Sequence, residues 1–304
     1  MLALALILDA LLGEPEVIWR RVPHPAALIG RLTDWLEARL NHGSSRKLKG
    51  VVALVAIIVA CWVPAALLSL DFFFGVFEII GAAVLLAHRS LVDHVMVVVR
   101  GLDAGLGAGR VAVAQIVGRD PETLDEAGVA RAAIESTAEN FSDGVVAPAF
   151  WFLIGGLPAM AVYKAVNTAD SMIGHRNSRY QEFGWAAARL DDLLNWIPAR
   201  LTGWLFCLVG RGQSAVEVMR RDAWLHRSPN AGWPEAAMAA SLDVALAGPR
   251  VYDGQTVDDP YINPLGRKDA SSHDIEAAVA LVWRAWSVLL GIGVVLWLGA
   301  ALLF

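Results

Sequence analysis

The sequence is poor in cysteine and in charged residues. Its 304 residues include two cysteines, Cys61 and Cys207, and both lie in apolar runs, so neither a disulfide framework nor a Cys-x-x-Cys metal site can be built from them. Charged residues make up 18% of the chain and hydrophobic residues 56%. A soluble domain has about 25% charged and about 45–50% apolar residues. These proportions, with a mean hydropathy of +0.50, predict an integral membrane protein.

Other absences exclude classes of partner and of binding motif. The net charge is −5, so the chain lacks the basic balance of a nucleic-acid-binding protein or of a polybasic lipid anchor. The phosphate-binding pattern GxxxxGK[ST] does not occur, and neither does GxGxxG in a suitable context. Only four of the 25 basic residues are lysines. Lys164, at the end of an apolar run, is therefore an unusual choice in this chain.

Long apolar runs are what the sequence has in abundance. They cover residues 50–70, 72–87, 145–165, 193–210 and 286–304, and residues 1–12 form a shorter apolar segment that carries Asp9. We predict an all-α, multi-pass integral membrane helical bundle with about four to five spans, forming a single domain of residues 1–304. Basic residues flank the first two runs, which places their ends on the cytoplasmic side.

The third run is interrupted by Gly155-Gly156-Leu157-Pro158. A broken helix within a membrane is tolerated where its freed backbone faces protein or a wet cavity. If the break makes this run re-entrant, the polar regions on its two sides share the cytoplasmic face. We therefore expect one cytoplasmic-side site, built from residues 88–144, 166–192 and 211–285. Within the first region, Asp120-Pro121 predicts the start of a helix.

Acids and amides precede the third run. Glu135 and Glu139 are four residues apart and share one face of a predicted helix, and Asn140 and Asp143 add further oxygens. Two bare carboxylates repel each other unless a cation lies between them, and Mg²⁺ binds one or two carboxylates together with waters and phosphate oxygens. The pattern fits a magnesium site, but acids at this spacing are also common on solvated helix faces.

A second polar set follows the same run. Its members are Lys164, Asn167, Asp170, Ser171, His175, Arg176, Asn177, Arg179, Asp191, Asp192 and Asn195. The first four recur at helical intervals and form a polar stripe, while the arginines suit phosphate and carboxylate oxygens. A snorkelling lysine and a plain interfacial cluster of positive charge explain parts of the set equally well.

Two histidines and one arginine complete the candidates. His24 and His226 both lie beside prolines, and each is either a general base or a structural hydrogen-bonding residue. Arg200 marks the fourth apolar run. Taken together, the polar sets supply acids for Mg²⁺ and cations for developing negative charge, which phosphoryl transfer requires.

Long motifs in the chain resemble the CobD/CbiB family, adenosylcobinamide-phosphate synthase of cobalamin biosynthesis. They are ESTAENFSDGVVAPAFW, KAVNTADSMIGHRNSRYQEFGWAAARLDD, NWIPARLTG and HRSPNAGWPEAAMA, with LDALLGEPE and HPAALIG near the start. The likeness extends over nearly the whole chain. Glu14 stands where the family often has aspartate, which preserves the charge.

The resemblance implies a multi-pass ligase of the bacterial cytoplasmic membrane. Such a protein joins adenosylcobyric acid to aminopropanol or aminopropanol phosphate through an amide bond, using ATP and Mg²⁺. Its partners would be the lipid bilayer, the corrinoid and amine substrates, and other membrane enzymes of the cobalamin pathway. Whether it forms a homo-oligomer is left open.

We assign provisional roles within this expected reaction, in which an acyl phosphate is formed and then attacked by the amine. The expected Mg²⁺ ligands are Glu135, Glu139, Asp143, Asp170 and Asp191. The expected catalytic residues are Glu139, Lys164, Asp192 and His226, with Asp192 or His226 taking the ammonium proton. The expected substrate- and phosphate-binding residues are His24, Asn140, Asn167, Ser171, His175, Arg176, Asn177, Arg179 and Arg200.

Two alternatives belong to other classes. A membrane prenyltransferase of the aspartate-rich type would use Asp191-Asp192 and the Asn167 and Asp170 pair for Mg²⁺–diphosphate, but such enzymes have more spans than this chain offers. A non-enzymatic membrane sensor or scaffold of the same fold would not require this density of acids and arginines.

Overall fold

The computed structural model describes residues 1–70, 75–117, 121–252, 255–257 and 259–303. In these ranges the regular structure is almost entirely helical, which confirms the predicted all-α class. The helices are α1 (Leu2–Leu12), α2 (Glu16–Trp19), α3 (Pro25–Leu40), α4 (Arg46–Ser69), α5 (Val76–Leu85), α6 (His88–Ala104), α7 (Leu106–Val113), α8 (Glu126–Phe141), α9 (Ala147–Ile173), α10 (Trp185–Leu194), α11 (Trp196–Val209), α12 (Gln213–Asp222), α13 (Gly232–Leu242) and α14 (Ser272–Leu303). Four short strands, β1 (Leu246–Ala247), β2 (Arg250–Tyr252), β3 (Gln255–Val257) and β4 (Tyr261–Ile262), form the antiparallel pairs β1–β4 and β2–β3.

Four helical stretches among the described residues are long and apolar enough to cross a membrane. They are Arg46–Ser69, Val76–Ala104, Glu126–Ile173 and Ser272–Gly299, in agreement with a multi-pass bundle. The predicted span at residues 193–210 is shorter than expected, because α11 has 14 residues. At about 1.5 Å per residue it extends only about 21 Å, less than the roughly 30 Å of a bilayer core.

The chain divides into two compact units that alternate along the sequence. The first contains Met1–Arg89, Asp143–Trp196 and Gly293–Phe304, and the second contains Ser90–Ser142 and Ile197–Ile292. The expected polar regions distribute accordingly. Residues 166–192 belong to the first unit, whereas residues 90–142 and 211–285 belong to the second.

Helix α9 is the centre of the first unit, and α3, α4, α5 and α10 all pack against it. The core between them is built from aliphatic and small residues, among which Ile57, Ala165 and Val166 are fully buried. Small residues on α9 let its neighbours approach closely. This packing positions the polar stripe that α9 carries at its far end.

The predicted break in the third apolar run is confirmed. Gly155 (φ −148°, ψ 27°) and Gly156 (φ 65°, ψ −161°) depart from helical geometry inside α9. The positive φ of Gly156 is a conformation that favours glycine. The break separates an initial segment of α9 from a second half, residues 157–173, which carries Lys164 and Asn167.

The loop of residues 174–184, which links α9 to α10, is held by close backbone approaches. A Cβ atom on Gly184 would lie 1.6 Å from the carbonyl oxygen of Ile173, and one on Gly50 would lie 1.9 Å from that of Phe183. Neither position can accept a side chain without backbone movement. These contacts fasten the loop between the end of α9 and the start of α4.

Helices α8 and α13 form the core of the second unit. They pack against each other, and α8 also contacts α7 and β1. The start of α8 differs from the expectation, because residues Pro121–Thr123 form only a 3₁₀ turn and Asp120 lies outside the described residues. The helix begins at Glu126, where the Asp125 side chain caps it by accepting the Gly128 N–H at 2.7 Å.

Candidate active site

One amide joins two carboxylates in the first unit. The Asn167 side chain donates to Asp143 Oδ2 and to Asp191 Oδ1, each at 3.2 Å. The other oxygen of Asp191 accepts from Asn195 Nδ2 at 3.1 Å. Two acids that are 48 positions apart in the sequence are therefore held on either side of one side chain.

Three different elements supply this cluster. Asp143 lies in the π-helical turn Ser142–Val146 that leads into α9, Asn167 lies on the second half of α9, and Asp191 lies on α10. Behind them, the buried Tyr163 hydroxyl is 2.9 Å from Asn195 Oδ1 and 3.1 Å from the Asp143 carbonyl oxygen. This buried layer fixes the separation of the two acids.

The two aspartates on α10 have shifted pKa values. Burial raises the pKa of Asp191 to about 6, against the hydrogen bonds from Asn167 and Asn195, which lower it. Burial also raises the pKa of Asp192, while Arg189 and Arg176 oppose the shift. Asp191 therefore exchanges its proton near neutral pH.

Lys164 lies one turn before Asn167 on α9. Asp143, Glu14 and Asp9 act on its ammonium group electrostatically. No residue in the described part of the chain forms a hydrogen bond or an ion pair with it. The Lys164 ammonium group is half-buried and feels the charge of several acids, but none of them binds it directly. Its N–H donors therefore remain available to an anionic ligand.

Asp9 and Glu14 were not predicted from the sequence as site residues, although the negative charge of each acts on the Lys164 ammonium group. Asp9 is buried, and its Oδ2 accepts the His88 N–H at 3.0 Å at the start of α6. The sequence did contain a signal for Asp9, because it is an acid inside an apolar segment. Such acids are costly and are usually functional or paired.

A cavity of about 250 Å³ lies between the loop and α10. It is lined by Gly174, His175, Arg176, Tyr180, Gln181, Trp185, Ala188, Arg189 and Asp192. Arg189 Nη1 is 3.8 Å from Asp192 Oδ2, and the Lys47 ammonium lies 3.7 Å from the centre of the Trp185 ring. The cavity brings together the predicted residues His175, Arg176 and Asp192, and it adds Arg189 and Trp185, which sequence reasoning missed.

Other predicted residues of the first unit make local contacts. Both arms of the Arg179 guanidinium bind Glu37, at 3.0 Å and 2.9 Å, and Asn177 Oδ1 accepts the Tyr180 N–H at 2.9 Å. Ser171 donates to the Asn167 carbonyl oxygen at 3.0 Å. Asp170 packs so closely on Gly174 that a Cβ there would lie 1.8 Å from its Oδ1. The contacts of Arg179 and Asn177 hold the loop in shape.

The predicted acids on α8 belong to the second unit and differ in environment. Glu135 is buried and accepts the Ala247 N–H at 2.7 Å, which ties α8 to β1. Glu139 and Asn140 are exposed, and Asn140 donates to the Ser136 carbonyl oxygen at 2.8 Å. Within the described residues, no group of three or more His, Cys, Asp or Glu side chains is arranged to hold a metal ion. A site with fewer protein ligands, such as the Asp143 and Asp191 pair, remains compatible with this finding.

The ring nitrogens of both predicted histidines face local groups. His226 Nδ1 accepts the Ser228 N–H at 3.0 Å, and its Nε2 is 3.6 Å from Glu235 Oε1. His24 Nδ1 accepts the Ala26 N–H at the start of α3, and its Nε2 is 3.2 Å from the Val84 carbonyl oxygen.

The predicted Arg200 also lies in the second unit. Its Nη1 is 3.4 Å from Asn230 Oδ1, and its guanidinium lies 4.7 Å from the centre of the Trp233 ring. These contacts join Arg200 on α11 to the start of α13 and to the turn that precedes it.

Comparison with known proteins now decides the family. The family model described as CobD/Cbib protein matches residues 2–282. The chain belongs to the CobD/Cbib family. Among its relatives, the cobalamin biosynthesis protein CobD of Brucella anthropi is 50% identical over 309 residues, covering 96% of this chain and 94% of the relative.

Two further CobD relatives give the same picture. The protein from a Sinorhizobium species is 51% identical, covering 96% of this chain and 95% of its own length. That of Rhodobacter capsulatus is 47% identical and covers 98% of both chains. No solved structure matches the chain. The resemblance inferred from the motifs is confirmed, and it assigns this CobD/Cbib chain to cobalamin biosynthesis.

Proposed function

We propose that this CobD/Cbib chain is a ligase that joins the carboxyl group of adenosylcobyric acid to aminopropanol, or to its phosphate, at the expense of ATP. The observation that carries the proposal is the Asp143–Asn167–Asp191 bridge with Lys164 beside it. Paired carboxylates and a nearby cation are the groups that phosphoryl transfer uses. The corrinoid substrate is supported by family membership and by the name of the relatives.

The donor set fits Mg²⁺. Asp143 and Asp191 present two carboxylates, and Asn167 adds an amide oxygen. Mg²⁺ keeps several waters and phosphate oxygens and needs only one or two carboxylates from the protein. When bound, the ion would neutralise charge on the nucleotide phosphates. The role of the protein is to hold the two acids at a fixed separation, and the buried Tyr163 and Asn195 provide that support.

The proposed chemistry has two steps. A carboxylate oxygen of the corrinoid attacks the γ-phosphorus of ATP, so that a P–O bond forms, the bond to ADP breaks, and an acyl phosphate results. The amine nitrogen then attacks the acyl carbon, so that a C–N bond forms and inorganic phosphate leaves. Lys164 stabilises the negative charge on the transferred phosphoryl group. The proton lost by the amine passes to Asp192, a carboxylate that lines the cavity and whose pKa burial raises above its ordinary value.

The cavity beside α10 suits the phosphorylated amine. Arg176 and Arg189 offer two guanidiniums to a phosphate group, and Asp192 offers a carboxylate to an ammonium group. Its volume of about 250 Å³ matches a small molecule rather than a corrin ring. This assignment places the amine, the residue that deprotonates it and the phosphate-binding arginines in one cavity.

The test is a reconstituted reaction. Purified protein is mixed with adenosylcobyric acid, aminopropanol phosphate, ATP and Mg²⁺, and the amide product and ADP are quantified by mass spectrometry. We expect Asn167→Leu and Lys164→Met each to lower kcat by about 100-fold or more, the usual effect of removing one electrostatic contact to a transition state. Lys268→Met, which removes a lysine in the second unit, is the matched control.

Each result has a defined meaning. Failure of the unmodified protein to form the amide under these conditions overturns the proposal. Turnover of an isoprenyl diphosphate in a parallel reaction would favour the prenyltransferase alternative. Full activity of Lys164→Met would remove the assigned role of Lys164.

A further inference from the structure

Glu78 is an acid in the first turn of an apolar helix. It lies on α5, within the candidate span Val76–Ala104, and is half-buried. A carboxylate in such a place is costly unless it is hydrogen-bonded or paired. Its Oε1 accepts the Leu157 N–H at 3.1 Å, across 79 positions of sequence. The acid therefore bonds to the backbone of α9, directly after the two non-helical glycines.

The break in α9 creates the need for this bond. Because Gly155 and Gly156 leave helical geometry, the second half of α9 begins as a new helix whose first N–H groups lack carbonyl partners four residues back. Pro158 has no N–H, so it removes one of these donors. Leu157 retains its donor, and Glu78 accepts from it. A carboxylate at this end also complements the positive end of the helix dipole.

The absence of a side chain at Gly156 leaves room for the contact between Glu78 and Leu157. Its φ is +65°, and a Cβ atom there would lie 2.8 Å from Glu78 Oε1. A side chain at this position would both strain the backbone and press on the carboxylate. The glycine and the acid are therefore two parts of one cap.

This cap determines where the second half of α9 begins. Lys164 lies about two helical turns after Leu157, and Asn167 lies about three turns after it, at 3.6 residues per turn. A helix is stiff along its axis, so a shift at residue 157 moves both side chains. The two 3.2 Å bonds of Asn167 tolerate little displacement before one carboxylate is released.

We propose that Glu78 is a positioning residue for the active site, which it serves by capping the second half of α9 from a neighbouring helix. Among the described residues, the hydrogen bond of its side chain goes to Leu157 and not to the Asp143–Asn167–Asp191 cluster. Its effect passes through Leu157 and the helix to Asn167 and Lys164. The oxygen acceptor is what matters, so glutamine at this position preserves the function and leucine does not.

The first experiment measures the protection of the Leu157 N–H by Glu78 and does not depend on the proposed reaction. Hydrogen–deuterium exchange is followed in peptides that cover residues 153–160, in the unmodified protein and in Glu78→Leu and Glu78→Gln. We expect the Leu157 amide to exchange slowly in the unmodified protein, about 10-fold or more faster in Glu78→Leu, and nearly as slowly in Glu78→Gln. Fast exchange of this amide in the unmodified protein would overturn the proposal even if a variant failed to fold.

The second experiment measures the effect of the cap on the rate of the reaction, and it rests on the proposed function. We expect Glu78→Leu to lower kcat by about 10- to 100-fold, since a displacement of about 1 Å costs that much, with KM for the amine within about twofold. Glu78→Gln should restore most of the rate. Glu217→Leu, which replaces an exposed acid on α12, is the control and should behave as the unmodified protein.

The two experiments separate the two proposals. If the unmodified protein forms no amide, the proposed function fails while the exchange measurement still decides whether Glu78 caps the helix. If the reaction proceeds and Glu78→Leu retains its full rate, Glu78 has no positioning role. Equal loss of rate in Glu78→Gln and Glu78→Leu would also contradict the proposal, because the charge rather than the acceptor would then be required.

Discussion

The position of a single amide decides how the two acids of the candidate site behave. Asn167 gives one N–H to Asp143 and the other to Asp191, so each acid keeps an oxygen that is not used by this amide. An aspartate in its place would add a third negative charge, and an aliphatic residue would leave the half-buried Asp143 and the buried Asp191 to repel each other. Hydrogen bonds to charged groups are worth about 1.5–3 kcal/mol each.

The raised pKa of Asp191 makes the site sensitive to pH. Burial raises this pKa from 3.8 to about 6, so the folded protein holds a proton that the unfolded chain releases between these values. Folding stability therefore falls as pH rises through this window, and it stays lowered above about pH 6. A cation needs the ionised form. We expect Mg²⁺ to raise Tm above about pH 6 and to have little effect near pH 5.

Thermal unfolding with and without Mg²⁺ across this pH range measures the effect. Asp191→Asn should abolish both the Mg²⁺-dependent rise in Tm and its dependence on pH. An equal rise at both ends of the range in the unmodified protein would mean that Asp191 does not take part in binding the ion.

Arg179 offers a second test at this scale, because its sequence-based role and its structural contacts differ. The hydrogen bonds from Arg179 hold the pKa of Glu37 below its ordinary value of 4.5. A lowered carboxyl pKa contributes stability above the unfolded value, and that stability is lost as pH falls through the folded value. We expect Arg179→Gln and Glu37→Gln to lower Tm near pH 7 by similar amounts and to have a smaller effect as the pH falls below 4.5.

Kinetics separate the two roles of Arg179. If it serves only to hold the loop, Arg179→Gln leaves KM for ATP and for the amine within about twofold at a temperature where the variant is folded. A large rise in KM for a phosphate-bearing substrate, without a matching effect in Glu37→Gln, would support the original phosphate-binding prediction.

Sequence spacing identified some of these residues but could not assemble them. Lys164 and Asn167 were found because they share a helix face after an apolar run. That Asp143 meets Asp191 depends on the π-helical turn before α9 and on the packing of α10, and neither leaves a local pattern. Arg189 was missed because one arginine on an amphipathic helix resembles any solvated charge.

At the scale of elements, the loop of residues 174–184 is the part most dependent on glycine. We expect Gly184→Ala to destabilise the protein by several kcal/mol, since its Cβ would lie 1.6 Å from the backbone oxygen of Ile173. Gly107→Ala is the matched control. Apart from its chain neighbours and the backbone of its own helix, no atom of the described residues lies within 4 Å of a Cβ there. The residue is inside helix α7, so a gain of about 0.5–1 kcal/mol is expected.

Chemical denaturation in detergent measures both changes. Because the loop also shapes the cavity, Gly184→Ala should weaken amine binding as well, whereas Gly107→Ala should not. Unchanged stability of Gly184→Ala would mean that the loop does not pass Ile173 as closely as described.

Local sequence signals were sufficient to predict one helix break but not the start of α8. Gly155-Gly156-Leu157-Pro158 predicted a broken helix, and the break is present because glycine and proline act on the backbone directly. Asp120-Pro121 carried an equally strong local signal for a helix start, yet α8 begins at Glu126 with Asp125 as its cap. Asp125, which was not predicted from the sequence as a cap, supplies the cap of α8.

At the scale of the whole molecule, composition was enough to predict a helical membrane protein. It did not predict the division of the chain into two compact units. An apolar excess and long uncharged runs predict membrane helices wherever they occur, because the bilayer imposes the same requirement on every span. The alternation of the two units depends on contacts between distant segments. No composition shift marks the boundary at residues 142–143, which falls inside the π-helical turn.

The last prediction concerns the sidedness of the polar regions. Arg46, Lys47 and Lys49 lie at the start of α4, and such residues favour the cytoplasmic side. We expect residues 88–144 and 166–192 both to be reached from that side. In a background with Cys61→Ala and Cys207→Ala, single cysteines are placed at the exposed positions Gln115 and Asn177.

Labelling with a membrane-impermeant maleimide then reads the orientation. If the break in α9 returns the chain to the side from which it entered, both cysteines should react in inside-out vesicles and remain unreactive in intact cells. His42→Cys, at an exposed position shortly before the basic start of α4, is the reference for the cytoplasmic side. If Asn177→Cys were labelled in intact cells while Gln115→Cys was not, α9 would cross the membrane fully. A ligase that takes ATP from the cytoplasm could not then use Arg176 and Lys164 as proposed.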